Sequence, residues 1–437
     1  MTCFESESRR PQEVDDRDLK RKRTCKENIV VKCLLDVGED ALILISLFLK
    51  TNAWLNFSTT CKAVESYRSN TIINSNKNYT VSPETTDDDL GRIFPTREGD
   101  VNGSQLRGIC NLNMFDCNNI TNKGLFHLRG LKHLQLLNCT NISAEGFKHL
   151  KGIQKLTMIG SRMNDHGLSY LNGIRVLTVD FSSAEVITDA GISNLSGIWK
   201  LDISNCIQLT DVGLSYLTGI HTLDITFNVL VTDKGFSYLK GISVLFAHWS
   251  NITDVGLSYL EGIDTLGINQ CKNITDVGYS YLKGIRSLEA HGKNITDEGL
   301  SYLRGIEILD LEESHKITDV GLSYLAGILN LRMDGRLITN VGLHYLRGIK
   351  SLYLLHANGV TDDSFKHLGR VMLVGLEYCN NVSLTGLANI DNCFILKVFC
   401  CANIPNIDYV IVSRDDLLAT QDNLVGTSLP ESTPAIK

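Results

Sequence analysis

Between residues 120 and 398, apolar and polar positions recur in one phrase, Ile-Thr-Asp-x-Gly-Leu-Ser-Tyr-Leu-x-Gly-Ile-x-x-Leu-x-Ile, in about thirteen copies. Its first glycine falls at Gly124, Gly146, Gly167, Gly191, Gly213, Gly235, Gly256, Gly278, Gly299, Gly321 and Gly342, a period of 21 or 22 residues with one 24-residue exception. The phrase has two halves. In His221-Thr222-Leu223-Asp224-Ile225-Thr226 apolar and polar residues alternate, which predicts a strand with Leu223 and Ile225 inward and Thr222, Asp224 and Thr226 outward. In Thr210 to Leu217 a Thr-Asp pair suits a helix N-cap, and Leu214 with Leu217 forms an i, i+3 apolar stripe, predicting about two turns of helix. Gly219 and its equivalents follow the last helical leucine, where a left-handed C-cap returns the chain to the next strand.

One such unit is too small to bury its own apolar side, so copies must stack into a solenoid with a continuous core. All six prolines lie outside residues 96 to 404, as a parallel ladder needing every N–H requires. The recurring Tyr170, Tyr216, Tyr238, Tyr259, Tyr281, Tyr302, Tyr324 and Tyr345 are expected to cover the convex face and to touch one another between units. The alternative is a ligand-stacking column.

The segment Leu201-Asp202-Ile203-Ser204-Asn205-Cys206-Ile207-Gln208-Leu209-Thr210-Asp211-Val212-Gly213-Leu214 resembles the cysteine-containing class of leucine-rich repeat, and the match recurs over about two thirds of the chain. The resemblance implies an α/β fold: a leucine-rich-repeat solenoid, or horseshoe, with a parallel sheet on its concave face. The repeats depart from that class in being a few residues shorter. Only Cys117, Cys139, Cys206, Cys271 and Cys379 are read as holding the cysteine position.

Ahead of the repeats, Glu39 to Leu49 is an apolar helical run, followed by Trp54-Leu55-Asn56-Phe57-Ser58-Thr59-Thr60-Cys61-Lys62. This stretch resembles an F-box, a small all-α element that commonly precedes such repeats, although Asp36-Val37-Gly38-Glu39 replaces the usual Leu-Pro opening. The resemblance implies that Leu42, Ile45, Leu49 and Leu55 grip the adaptor protein linking the chain to a cullin–RING ubiquitin ligase. A helical cap over the first strand edge is the other reading of the same residues. The resulting division is a disordered basic N-terminus (1–34), an F-box-like segment (35–70), a linker or N-terminal cap (71–105), the repeats (106–403), and a C-terminal cap and tail (404–437).

Composition narrows the partners. A formal charge of −7 over 437 residues, 43% of them hydrophobic, gives no bulk attraction to nucleic acid. The longest apolar run, Ala41 to Leu49, is too short to span a bilayer, and the charged first 23 residues do not read as a signal peptide. The thirteen cysteines, odd in number and without a secretory signal, are read as reduced. Asn-x-Ser/Thr triplets such as Asn251-Ile252-Thr253 follow from the repeat phrase. The expected compartment is the cytoplasm. Lys20-Arg21-Lys22-Arg23, with Arg9-Arg10 upstream, reads either as a nuclear import signal or as a charged tail. No metal-ligand spacing, phosphate loop or nucleophile elbow occurs, so neither enzyme activity nor a cofactor is expected.

Function is therefore expected on the outward strand positions. Their middle column reads Gln135, Thr157, Thr178, Asp202, Asp224, Phe246, Gly267, Glu289, Asp310, Arg332, Tyr353, with Asp180 and Glu312 in the next column. A charged column is ordinarily a solvated face. Here Phe246, His248 and Trp249 interrupt it, and an aromatic centre with a charged rim suits a protein interface. The candidate target-binding residues are Asp180, Asp202, Asp224, Phe246, His248, Glu289, Asp310, Glu312, Arg332 and Tyr353, and the acidic members favour a target with a basic segment.

Overall fold

The computed structural model describes residues 78–94, 111–160, 163–179, 187–206, 208–292, 294–390, 395–404 and 407–410. Leu42, Ile45, Leu49, Leu55 and Asp180 lie outside them, as do the F-box-like segment and the basic N-terminus.

Among the described residues sixteen strands form one sheet in sequence order. They are β1 (Asn78–Val81), β2 (Asn111–Phe115), β3 (His133–Leu137), β4 (Lys155–Ile159), β5 (Val176–Val179), β6 (Lys200–Asp202), β7 (Thr222–Asp224) and β8 (Val244–Phe246). The series continues with β9 (Thr265–Gly267), β10 (Ser287–Glu289), β11 (Ile308–Leu311), β12 (Asn330–Asp334), β13 (Ser351–Leu355), β14 (Leu373–Glu377), β15 (Ile395–Phe399) and β16 (Ile407–Val410). The first fifteen are parallel, and β16 pairs antiparallel with β15. β1 pairs in register with β2 and is followed by a helix, Asp87–Ile93, closed by a Thr86–Asp89 capping box. The sheet thus takes in part of the segment read as a linker or N-terminal cap, and β16 falls in the segment read as a C-terminal cap and tail.

The inward column Leu134, Leu156, Leu177, Leu201, Leu223, Leu245, Leu266, Leu288, Leu309, Leu331 and Leu352 is fully buried, as is the next inward column from Leu136 to Leu354. Short helices cover the other side of this core. With helices on one face of an open parallel sheet and the core between them, the described residues form a leucine-rich-repeat solenoid.

The helices are shorter than the sequence predicts. Asp211–Ser215, Asp254–Ser258, Asp297–Ser301 and Asp319–Ser323 have five residues each. Beyond them the Tyr216 N–H donates to Gly213 O and the Leu217 N–H to Leu214 O, three residues back. The coil has tightened to 3₁₀ geometry, in which Leu214 and Leu217 still share a face. Gly219, at φ +83°, then ends the turn in the left-handed region.

Adjacent units are joined by a polar ladder. The Thr210 hydroxyl accepts the Val212 N–H at 3.2 Å, the expected N-cap. Asp211, beside it, serves the following repeat: its carboxylate accepts the Thr232 N–H at 2.8 Å and the Thr232 hydroxyl at 2.7 Å. The same link runs from Asp165, Asp189, Asp233, Asp254, Asp276, Asp297 and Asp319 to the threonine of the next unit. Asn340 takes the aspartate's place towards Thr361, accepting its N–H and donating to its hydroxyl. A second ladder uses amides, with Asn141, Asn251, Asn294, Asn381 and Asn403 each donating to a carbonyl of the preceding repeat. The Asn251 side chain of the Asn-Ile-Thr triplet is therefore committed to Val229 O at 2.7 Å.

The cysteine position needs a small buried donor. Cys139, Cys271 and Cys379 direct their thiols to a carbonyl of the preceding repeat, at 3.6, 3.3 and 3.5 Å. Asn228 and Ser314 fill the same position and donate to Ile203 O and Gly292 O. Cys401, buried 22 residues after Cys379 and accepting its N–H at 3.2 Å, is a further holder of the position that sequence reading left out. Its neighbour Cys400 is exposed.

Candidate protein-binding face

The register places the middle column as the sequence reads it. Gln135 pairs with Thr157, Thr157 with Thr178, Thr178 with Asp202, Asp202 with Asp224, and Asp224 with Phe246. Gly267, Glu289, Asp310, Arg332 and Tyr353 follow in register. The column divides into two halves with different electrostatics.

In the second half the charges are compensated. His291 Nε2 lies 2.8 Å from Asp310 Oδ1, a charge contact whose geometry falls short of a hydrogen bond. His291 Nδ1 is 3.8 Å from Glu312, and Arg332 pairs with the same carboxylate at 2.9 Å. The Arg332 guanidinium also lies 4.8 Å from the Tyr353 ring, whose hydroxyl donates to Glu377 at 3.0 Å. His248 faces Glu289 at 3.6 Å, and its Nδ1 accepts the Asn269 N–H. Burial, with Asp310 nearby, pushes the Glu289 carboxyl up to about 7, and burial pushes His248 down to about 4. Burial opposes charge on His291 too, but Asp310 and Glu312 outweigh it and raise its pKa. Arg332 and Tyr353 are only 7% and 4% exposed, so little of either side chain is open at the surface.

In the first half the carboxylates are bare. Asp202 accepts from the Ser204 hydroxyl and Asp224 from the Thr226 N–H, closing the turn after each strand. Among the described residues no cation forms an ion pair with either; Lys200 acts on both only at longer range. Burial and the neighbouring Asp224 push the Asp202 carboxyl up to about 6, and burial raises Asp224.

Phe246 is half-buried, its ring spread over Gly267 and tilted against His248 at 5.9 Å. Two exposed aromatics, Phe227 and Trp249, stack at 5.8 Å at the left-handed corners that follow β7 and β8, with φ of 64° and 58°. Val229 and Leu230 lie beside them, also exposed. Phe227, Val229 and Leu230 are absent from the sequence-derived site. Aligning the repeats on the corner, three residues past the middle column, is the signal that finds them. At the opposite rim the exposed Trp199 stacks on His221 at 4.1 Å. On the helical side three of the recurring tyrosines meet a cation of the preceding unit, Lys240 over Tyr259, Lys283 over Tyr302 and Arg304 over Tyr324, and Tyr170 meets His166 of its own helix, in place of the expected tyrosine–tyrosine contacts.

Among the described residues no cluster of three or more histidine, cysteine or acidic side chains could hold a metal ion, and no helix is long and apolar enough to cross a membrane. The face presents exposed aromatic and aliphatic groups beside carboxylates, a combination that protein interfaces favour.

No family model matches the chain, and no curated protein is similar to it in sequence. Similar solved structures include one from the Drosophila Toll–Spatzle complex, at 12% identity and TM-score 0.46 over 75% of this chain and 47% of that one. This chain thus spans about half the length of that match. Others come from the yeast Rad7 and Elc1 complex (16% identity, TM-score 0.48, 90% of this chain and 95% of that chain) and from an internalin of Listeria monocytogenes (17%, 0.46, 73% and 90%).

Proposed function

We propose that this chain is the non-catalytic substrate-recognition subunit of a cullin–RING ubiquitin ligase of the F-box type. Its leucine-rich repeats are a scaffold for protein interaction, and the observation carrying the recognition role is the exposed Phe227–Trp249 corner beside the bare carboxylates Asp202 and Asp224. The target rests on the sheet face, over the column from Asp202 to Tyr353. The ligase link is supported by the resemblance of residues 35–70 to an F-box, with Leu42, Ile45, Leu49 and Leu55 towards the adaptor. A second reading, a repeat scaffold without a ubiquitin link, is favoured by the missing Leu-Pro opening at Asp36-Val37-Gly38-Glu39.

Affinity capture from cell extract tests this. The wild-type chain should recover the adaptor and a cullin, and Ile45→Asp with Leu49→Asp should lose both while keeping the target and the far-ultraviolet spectrum, because two charges in an apolar interface are not tolerated. A wild-type chain that recovers neither removes the ligase reading, and adaptor retained by the double variant removes Ile45 and Leu49 as its grip.

A further inference from the structure

We propose that Phe227, Val229, Leu230 and Trp249, together with Asp202 and Asp224, form a docking subsite for an extended segment of the partner protein that carries a lysine or arginine about three residues from an apolar anchor. This rests on the protein-binding reading of the same face and specifies the ligand's chemistry.

The aromatics are not there for the backbone's sake. Of the other non-glycine corners among the described residues, five carry Asp116, Asn138, Asn205, Gln270 and Glu313 and three carry His356, Tyr378 and Cys400, all at positive φ. Asparagine and aspartate tolerate that region best, and a bulky residue there is an outlier that asks for a functional reason. Phe227 and Trp249 occupy it in successive repeats and stack. The two positions after the buried Asn228 depart in the same way: where other repeats have Asn118-Asn119, Thr140-Asn141, Lys272-Asn273, His315-Lys316 and Asn380-Asn381, this one has Val229-Leu230. Four apolar side chains, each 41–48% exposed, thus stand where most other units are polar, the preceding unit having an apolar residue, Ile207, at only one of these positions.

Charge complementarity fixes the occupant. Farther along the column Glu289, Asp310 and Glu312 face His248, His291 and Arg332, whereas Asp202 and Asp224 have no ion-pair partner among the described residues. A second corner stack, His356 on Tyr378, has one carboxylate beside it, Glu377, rather than two, and that one accepts the Tyr353 hydroxyl. Asp224 and Phe227 are three residues apart around the turn that Asp224 closes on Thr226, so at most roughly 10 Å separates their backbones, within the reach of an extended peptide from residue i to i+3. A cation over the two carboxylates supplies the missing countercharge while its apolar neighbour lies on the stacked rings.

The test uses the full-length chain and a fluorescein-labelled octapeptide with one phenylalanine and one lysine three residues apart in a Gly-Ser background. Saturable binding is expected, weakened about tenfold or more by Phe227→Asn with Trp249→Asn; these corners already accept asparagine, so folding is preserved. Asp202→Asn with Asp224→Asn should abolish the preference for the lysine peptide over one with glutamate in its place. Equal binding by wild type and corner variant, equal binding of both peptides, or no binding overturns the proposal. So does binding that appears only when Lys20, Arg21, Lys22 and Arg23 are changed to glutamate, which makes the chain's own basic run the occupant, or a corner variant that differs from wild type in oligomeric state, which makes it a second copy. Capture from extract separates the two levels: a partner kept by the corner variant but lost on Asp310→Asn with Glu312→Gln defeats this subsite alone, and failure of the wild type to recover any partner defeats the protein-binding reading itself.

Discussion

The Asp211 carboxylate lies 2.5 Å from the point where a side chain on Gly235 would begin. The aspartate of one unit and the first glycine of the next are therefore one device: the carboxylate that holds Thr232 needs the space that only glycine leaves. Gly235→Ala must displace Asp211 or the backbone and should cost about 1–3 kcal/mol. Adding it to Asp211→Ala should cost less, leaving an interaction energy of about 1 kcal/mol in a double-mutant cycle. Gly219→Ala is the control: it meets no atom within 4 Å, but at φ +83° it should cost about 1 kcal/mol whatever residue 211 is. Strict additivity of the first pair excludes the device.

Removing a rung of the ladder orphans two donors. Asp254→Ala leaves the Thr275 N–H and hydroxyl without their acceptor and should destabilise by roughly 1–3 kcal/mol in urea unfolding. Asp254→Asn should cost clearly less, since Asn340 already performs this role towards Thr361. Equal losses would show that charge, not hydrogen bonding, joins the units.

Leu260 and Leu282, buried in successive units, should each cost about 2–5 kcal/mol on truncation to alanine. Because they line one continuous core their losses should not add. Additivity in the double variant would place them in independent layers.

Glu289 gives a pH signature. Its folded pKa of about 7 stands above the ordinary 4.5, so the folded state binds the proton more tightly, and its contribution to stability falls as pH rises from about 4.5 through 7. Glu289→Gln should accordingly raise stability at pH 8, on the order of 2 kcal/mol, and change little at pH 4. Thermal unfolding of both proteins at the two pH values decides it, and a variant no more stable at pH 8 contradicts the inferred burial penalty. His248, lowered to about 4, has the opposite slope between pH 4 and 6.5 but is common to both proteins.

The strand register was legible because a period of two inside a fixed repeat leaves each middle position no freedom: Asp202, Asp224 and Phe246 stand side by side as read. Contacts between residues about 21 apart have no such local signature, so Asp211 reads as a capping residue of its own helix and its hold on Thr232 stays hidden. The helix length was overestimated because Leu214 and Leu217 share a face in an α-helix and in a 3₁₀ turn alike. Phe227 escaped notice because it sits at a corner, where neither periodicity applies. Phe246 is the aromatic of the column, and the absence of a side chain on Gly267 in the next strand, which the sequence shows but whose consequence it does not, leaves room for its ring and for His248.

Since each unit offers a carboxylate forward and a threonine backward, every joint from Asp165 to Thr339 is chemically the same joint. Any unit can succeed any other. Such a gene can lengthen or shorten by whole repeats, through duplication or unequal exchange, without inventing a new seam. The only cost is that exposed side chains such as Trp249 change their distance from one another in steps of one strand spacing, about 4.8 Å.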